Sequence, residues 1–294
     1  MSRWPGAKLW DQIPWAKLAN YPPLARVLIF LLVVVALWLP FALPLYALAA
    51  RQLLPGGDLL PTALLYGVFL LVLPRWERRV RGETRPWAQV GFVSRPALAR
   101  GMAVGWAIGA ISLAVLAVVQ VSLGWAVGNP EAARGFDLLQ VALVGALAAT
   151  AVGWSEEVLF RGWLLRELEQ GWSPAVALGA TSAIFAIAHF IKPLDAILAL
   201  LPQLIGLLLL GIVLGWARRI PVEAGKTGLG HPVGLHAGLV WGYYLLAVGN
   251  LLQPTGTVPV WVTGIDGNPL AGMLGLTLLA GLGVLVFRWS HRTR

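Results

Sequence analysis

The chain has 294 residues, of which 58% are hydrophobic and 12% are charged, and its net charge is +9. A soluble domain of this length is normally about a quarter charged, so the composition excludes an ordinary soluble protein and favours helices in lipid. The absence of cysteine excludes disulfides and thiol catalysis, and the basic residues lie in short loops between apolar segments, which argues against a nucleic-acid partner.

Eight apolar segments predict an all-α fold, a polytopic transmembrane helix bundle of about eight spans. In chain order the segments cover residues 24–49, 59–74, 98–124, 138–168, 174–191, 196–217, 228–250 and 269–288. We predict four regions from them. These are an interfacial arm over 1–23, three accessory helices over 24–136, a core of four helices over 137–250, and a last helix with a basic tail over 251–294.

The distribution of basic residues predicts the orientation of the bundle. With the N-terminus inside, only Arg51, Arg134 and Lys192 of the 22 basic residues fall on the outer side, which leaves nineteen on the inner side. Lysine and arginine are retained on the cytoplasmic side of membranes. We therefore expect an even number of spans, both termini inside, and a multi-pass protein of the cell's inner or plasma membrane.

The third span carries three glycines at four-residue spacing, Gly101, Gly105 and Gly109. This spacing lines one face of a helix and allows a neighbouring helix to approach closely. Packing within the chain is favoured over a dimer interface as the purpose of this face.

The fourth span contains charged residues that are costly inside a bilayer, by about 2.5–3.5 kcal/mol each. Glu157 and Arg161 are four residues apart, so on a helix they are neighbours and can neutralise one another. Glu156 points about 100° away from that pair and has no local partner, because successive helical residues are turned by this angle. We interpret Glu156 as a candidate general base.

Two histidines on later spans lie at a similar depth. His189 lies in the fifth span, one turn after Phe185, and His236 lies in the seventh span between Gly234 and Gly238. One glutamate and two histidines near mid-membrane indicate a hydrolytic site, and the competing interpretation is a set of structural hydrogen bonds plus an ion pair.

At these residues the sequence resembles the CPBP family of intramembrane prenyl-proteases and bacteriocin-processing proteins, also called the CAAX protease or Abi family. The family motifs are E-E-x-x-x-R, F-x-x-x-H and H-x-x-x-N or H-x-x-x-D. They are matched in turn by Glu156, Glu157 and Arg161, by Phe185 and His189, and by His236 alone. Val240 stands where the third motif has Asn or Asp. The resemblance covers about residues 137–250, which become the expected catalytic core.

The resemblance implies hydrolysis of a peptide bond by water that Glu156 activates, with the histidines completing the site. The substrate would be a peptide or protein at the lipid bilayer. Two alternatives for a cofactor stay open. Glu156, His189 and His236 can hold zinc with an open fourth position, or they can orient water and an oxyanion without a metal.

Val240 leaves the site with one polar group fewer than the family pattern. Either the protein cleaves its substrate slowly, or another group supplies the polar contact that position 240 lacks. Two other functions therefore remain open: a weakened family member that acts as a membrane scaffold or binding partner, and a transporter, since intramembrane Glu and Arg also serve ion coupling.

Overall fold

The computed structural model describes residues 15–53, 57, 59–191, 194, 197–198, 201–223 and 225–292. Most of the predicted interfacial arm, Lys192 and Arg294 lie outside the described residues, as does part of the start of the sixth predicted span. The chain divides into two compact units, Met1–Gln89 and Val90–Arg294.

The first unit is built on two long helices. Its helices are α1 (Trp15–Leu18), α2 (Pro23–Ala50) and α3 (Leu59–Arg79), and α4 (Pro86–Val90) follows at the end of the unit. Helices α2 and α3 pack through aromatic rings, because the ring of Phe30 meets Phe69 and Trp76 edge-on at centroid distances of 5.8 and 5.3 Å. Such edge-to-face contacts add to the burial of apolar area.

The second unit holds the remaining helices and two short antiparallel sheets of two strands each. Its elements are α5 (Arg95–Ser122), β1 (Ala126–Gly128), α6 (Gly135–Glu157), a π-helix (Val158–Leu164), α7 (Leu165–Leu168), α8 (Pro174–Ala188), α9 (Gln203–Arg218), β2 (Pro221–Glu223), β3 (Lys226–Thr227), α10 (Gly230–Val248), β4 (Leu252–Pro254), α11 (Val260–Thr263), two 3₁₀ turns (Ile265–Gly267 and Pro269–Ala271) and α12 (Met273–Arg292). Strand β1 pairs with β4, and β2 pairs with β3. The sequence did not predict these strand pairs.

Helices α5 and α10 run parallel with their backbones in contact along a glycine stripe. A Cβ atom on Gly109 would lie 2.6 Å from the carbonyl oxygen of Leu235, and a Cβ atom on Gly230 would lie 2.6 Å from that of Leu98. Any side chain at these positions would force the two helices apart. The prediction that the glycines of the third span pack within the chain is confirmed. Helix α10 also contributes glycines to this contact, namely Gly230, Gly234 and Gly238.

The other face of α10 packs against α6. A Cβ atom on Gly153 would lie 3.0 Å from the carbonyl oxygen of Val233. Helix α9 packs against α8, where a Cβ atom on Gly211 would lie 2.8 Å from Ser182. Small residues thus let these five helices of the second unit approach their neighbours closely.

Within the described residues, five helices are long and apolar enough to cross a membrane. They cover Pro23–Ala50, Leu59–Arg79, Pro86–Ser122, Gly135–Leu168 and Met273–Arg292, and the apolar helices Pro174–Ala188 and Gln203–Arg218 are shorter. The all-α polytopic fold class is confirmed. The count of eight spans and the orientation with both termini inside stay predictions.

Candidate functional site

The regular geometry of an α-helix is interrupted at the acidic pair Glu156 and Glu157. Helix α6 ends at Glu157 and continues as the π-helix Val158–Leu164. π-Turns inside α-helices are rare and are frequent at functional sites. Gly162 lies in this turn and packs against Val90, since a Cβ atom on Gly162 would lie 3.1 Å from the Val90 carbonyl oxygen. The wide turn is therefore held in place by close packing.

Glu157 and Arg161 form an ion pair in the protein interior. Arg161 Nη1 donates to Glu157 Oε1 at 2.9 Å, and the two side chains are 1% and 0% exposed. Arg161 Nη2 donates to the carbonyl oxygen of Gly211 on α9 at 3.0 Å. The pair predicted from the spacing of the fourth span is present, and it also joins α6 to α9.

His236 binds the same carboxylate oxygen. Its Nδ1 lies 2.9 Å from Glu157 Oε1. Because a carboxylate accepts hydrogen bonds, Nδ1 is the nitrogen that carries a proton, and Nε2 is the acceptor whenever the ring is neutral. The ring is buried and lies on α10, whose glycine stripe holds it against α5.

His189 has the same tautomer for a different reason. It caps the C-terminus of α8, and its Nδ1 lies 2.8 Å from the carbonyl oxygen of Phe185. A carbonyl can only accept, so Nδ1 donates and Nε2 is again the free acceptor. The Phe185 ring packs edge-on against both histidines, at centroid distances of 4.7 Å to His189 and 6.1 Å to His236. Arg161 lies over the same ring, with Cζ 4.4 Å from its centroid.

Glu156 faces both histidines. Its Oε2 lies 3.9 Å from His189 Nε2 and 3.9 Å from His236 Nε2. These separations are too long for direct hydrogen bonds and are of the size that a bridging water spans. Glu156 Oε2 is buried and makes no hydrogen bond with any described residue. The structure thus brings together all five polar residues that the sequence singled out.

The two histidines open onto a chamber of about 230 Å³. Its wall is mostly aliphatic and comes from α5, α8, α9, α10, α12 and the loop before α12, with the polar side chains of His189, Gln203, His236, Tyr243 and Asn268 on it. Val240 lines the same chamber, so the position that departs from the family pattern faces the site. A neighbouring cavity of about 460 Å³ shares Leu116, Tyr243 and Pro269 with it.

Sequence reasoning missed several of these groups. Four groups that contact the ion pair or line the chamber belong to no motif and come from elements far apart in the chain. They are the Gly211 carbonyl and the side chains of Gln203, Tyr243 and Asn268. A weak signal existed for Tyr243, which lies two helical turns after His236 on the same face.

The arrangement does not match a preformed zinc site. Nitrogen and oxygen ligands lie about 2.0–2.2 Å from zinc, so two tetrahedral ligands are about 3.4 Å apart, whereas Glu156 Oε2 lies 3.9 Å from each histidine nitrogen. Among the residues that the structure describes, no group of three or more His, Cys, Asp and Glu side chains is placed to hold a metal ion.

Comparison with known proteins agrees with the motifs. Residues 138–242 match the family model described as Type II CAAX prenyl endopeptidase Rce1-like. The match covers 105 of the 294 residues and includes every residue of the three motifs. The resemblance to the CPBP, or CAAX protease, family is confirmed over this segment. No curated protein and no solved structure gives a significant match.

Proposed function

We propose that this chain, an integral membrane protein with a CAAX-protease-type domain, is an intramembrane endopeptidase in which Glu156 activates water. The observation that carries the proposal is the convergence of Glu156 Oε2 with the Nε2 atoms of His189 and His236, each 3.9 Å away, beside an apolar chamber. In the proposed resting state both rings are neutral and Glu156 is ionised, so all three atoms accept hydrogen bonds, as is needed to orient a water and to remove its proton.

The reaction starts with a water that donates one hydrogen bond to Glu156 and the other to a histidine Nε2. Glu156 takes a proton as the water oxygen bonds to the peptide carbonyl carbon, and the carbonyl π electrons move to the oxygen. The tetrahedral intermediate then collapses, the C–N bond breaks, and Glu156 returns the proton to the leaving nitrogen. General base catalysis of this type contributes roughly 10²–10⁴-fold to the rate.

Glu157 and Arg161 act as positioning residues in this proposal. Glu157 Oε1 accepts from both Arg161 Nη1 and His236 Nδ1, at 2.9 Å each. The bond to His236 fixes the tautomer that leaves Nε2 unprotonated, and Arg161 neutralises the carboxylate that makes it. The two adjacent glutamates therefore have different tasks, because only Glu156 faces the reacting water.

The chamber gives the substrate an apolar environment. Its aliphatic wall accommodates a hydrophobic side chain or chain segment, and it limits the access of bulk water to the site. This favours a peptide or protein substrate presented from the lipid bilayer. We place the protein in the cell's inner or plasma membrane.

The test is cleavage of a quenched-fluorescent, farnesylated CAAX-box peptide by the full chain in nanodiscs. Glu156→Gln should lower the rate by at least about 10²-fold without a change in melting temperature, because the amide keeps the shape of the carboxylate and cannot act as a base. Glu131→Gln, a change in an exposed loop, is the matched control and should cleave like the wild type.

Equal cleavage by the wild type and Glu156→Gln would refute the role of Glu156. Loss of activity with 1,10-phenanthroline and its return with zinc would replace the metal-free mechanism with a metal-dependent one and would leave the endopeptidase activity standing.

The apolar Val240 favours one alternative, a weakened family member that binds partners in the membrane. A proteomic comparison separates the two functions: membrane-proximal peptides that disappear in Glu156→Gln cells indicate an endopeptidase, and unchanged peptides with retained partner binding indicate a scaffold. Substrate-driven flux in liposomes would support the transporter instead.

A further inference from the structure

Among the described residues, the atoms that face Glu156 Oε2 are the Nε2 atoms of His189 and His236. In the neutral rings these atoms are acceptors, so neither ring offers an N–H group to the substrate there. The N–H groups of His189 and His236 already bind the Phe185 carbonyl and Glu157. The guanidinium of Arg161 binds Glu157 and a backbone carbonyl. Attack on a peptide bond places negative charge on the carbonyl oxygen, and hydrogen-bond donors aimed at that oxygen are commonly the largest catalytic contribution.

Position 240 cannot supply this donor. Val240 lines the chamber beside His236, and its side chain has no polar atom. Three other side chains on the chamber wall can donate a hydrogen bond: Gln203, Tyr243 and Asn268.

Among these three, the amide of Asn268 is held in a defined orientation. Its Oδ1 accepts a hydrogen bond from the backbone N–H of Leu270 at 2.9 Å, which caps the 3₁₀ turn Pro269–Ala271. The hydrogen bond identifies Oδ1 as the engaged end of the amide. The Nδ2 end, with two N–H donors, is then the end that is left for the chamber.

The loop that carries Asn268 is packed too closely to move freely. Gly264 has φ 137°, and a Cβ atom there would lie 2.5 Å from the Asn268 carbonyl oxygen. A Cβ atom on Gly206 of α9 would overlap the Leu270 carbonyl, and one on Gly275 of α12 would overlap the Pro269 carbonyl. Because these positions of α9 and α12 are glycines, the loop packs directly against the backbones of both helices.

From this placement we propose that Asn268 Nδ2 donates the hydrogen bond that stabilises the oxyanion, in place of a polar side chain at position 240. The proposal rests on the endopeptidase function proposed above. Donors that are already oriented are effective because no reorganisation is needed during the reaction. Gln203 has one more rotatable bond than Asn268, and Tyr243 also lines the neighbouring cavity.

The test uses two asparagines whose side-chain oxygens each accept a hydrogen bond from the backbone N–H two residues on. In Asn268→Ser the hydroxyl can still accept from the Leu270 N–H, while the amide donor is lost. Asn129→Ser is the matched control, because Asn129 Oδ1 accepts from the N–H of Glu131 two residues on at 3.0 Å in an exposed loop. Cleavage of the farnesylated peptide and the melting temperature are measured for both variants, for Glu156→Gln, and for Asn268→Ser combined with Val240→Asn.

Asn268→Ser should lower kcat by about 10²–10³-fold, the range for loss of one oxyanion donor, with KM and melting temperature nearly unchanged. Asn129→Ser should match the wild type. Val240→Asn should restore kcat of Asn268→Ser to within about tenfold of the wild type, because it offers an amide on the wall of the same chamber.

A kcat for Asn268→Ser within threefold of the wild type would overturn the proposal while Glu156→Gln is still inactive. A parallel fall in kcat and melting temperature that Val240→Asn does not relieve would also overturn it, since the residue would then be structural. A wild type no more active than Glu156→Gln would remove the endopeptidase function and this proposal together.

Discussion

Removal of the Glu157 side chain tests whether the interior ion pair supports the fold. In Glu157→Ala, Arg161 loses the carboxylate 2.9 Å away and keeps one backbone acceptor, the Gly211 carbonyl, while its side chain is only 1% exposed. Breaking a buried pair by removing one partner costs about 3–5 kcal/mol, because the remaining charge is uncompensated. At roughly 2–4 °C per kcal/mol, the melting temperature should fall by about 6–20 °C.

Adding Arg161→Leu should recover part of this loss, because it removes the stranded charge and leaves an apolar side chain beside Phe185. The double variant should nevertheless stay poorly active, since His236 has lost the carboxylate that orients it. Recovery of stability without recovery of cleavage would separate the two tasks of Glu157.

The assay is thermal unfolding of the purified protein in detergent, followed by tryptophan fluorescence, with peptide cleavage measured on the same samples. Glu169→Ala is the matched control, because Glu169 Oε1 pairs with Arg219 Nη2 at 3.0 Å with its side chain 33% exposed. Such a surface pair contributes roughly 0–1 kcal/mol. The reasoning is refuted if Glu157→Ala is no more harmful than Glu169→Ala, or if Arg161→Leu destabilises the protein further.

Two further predictions concern topology and packing. Accessibility tags at both termini and near Arg81 should report the cytoplasmic side, and a tag near Asp266 should report the opposite side, because lysine and arginine are retained on the cytoplasmic side. A tag near Arg81 that reports the outer side would overturn the eight-span prediction. Gly234→Ala should lower the melting temperature, because the new Cβ atom would overlap the Met102 carbonyl across the α5–α10 contact. Gly179 has no neighbouring atom within reach of a Cβ atom, so Gly179→Ala should leave the free energy of unfolding unchanged or raise it by up to about 1 kcal/mol. Equal melting temperatures for the two alanine variants would show that the helices can separate without cost.

Features that depend on local spacing along the chain could be predicted without the structure. Apolar run length predicts helices, since about 20 residues are needed to cross the hydrocarbon core, and the helices of the structure follow those runs closely. The contact between Glu157 and Arg161 also follows from spacing, because residues four apart are neighbours on a helix. The motif order was sufficient to indicate the CAAX protease family.

The contacts between helices, in contrast, could not be predicted from spacing. His236 and Glu157 are 79 residues apart, and no periodicity relates them. Their contact depends on the packing of α6 against α10, where Gly153 of α6 meets Val233 and Ala237 of α10. The π-helix after Glu157 and the clamped loop of Asn268 are likewise products of packing between distant segments. The spacing of residues along the chain predicts which side chains share a face of one helix. A site formed by several helices also depends on how their backbones pack together, which spacing does not predict.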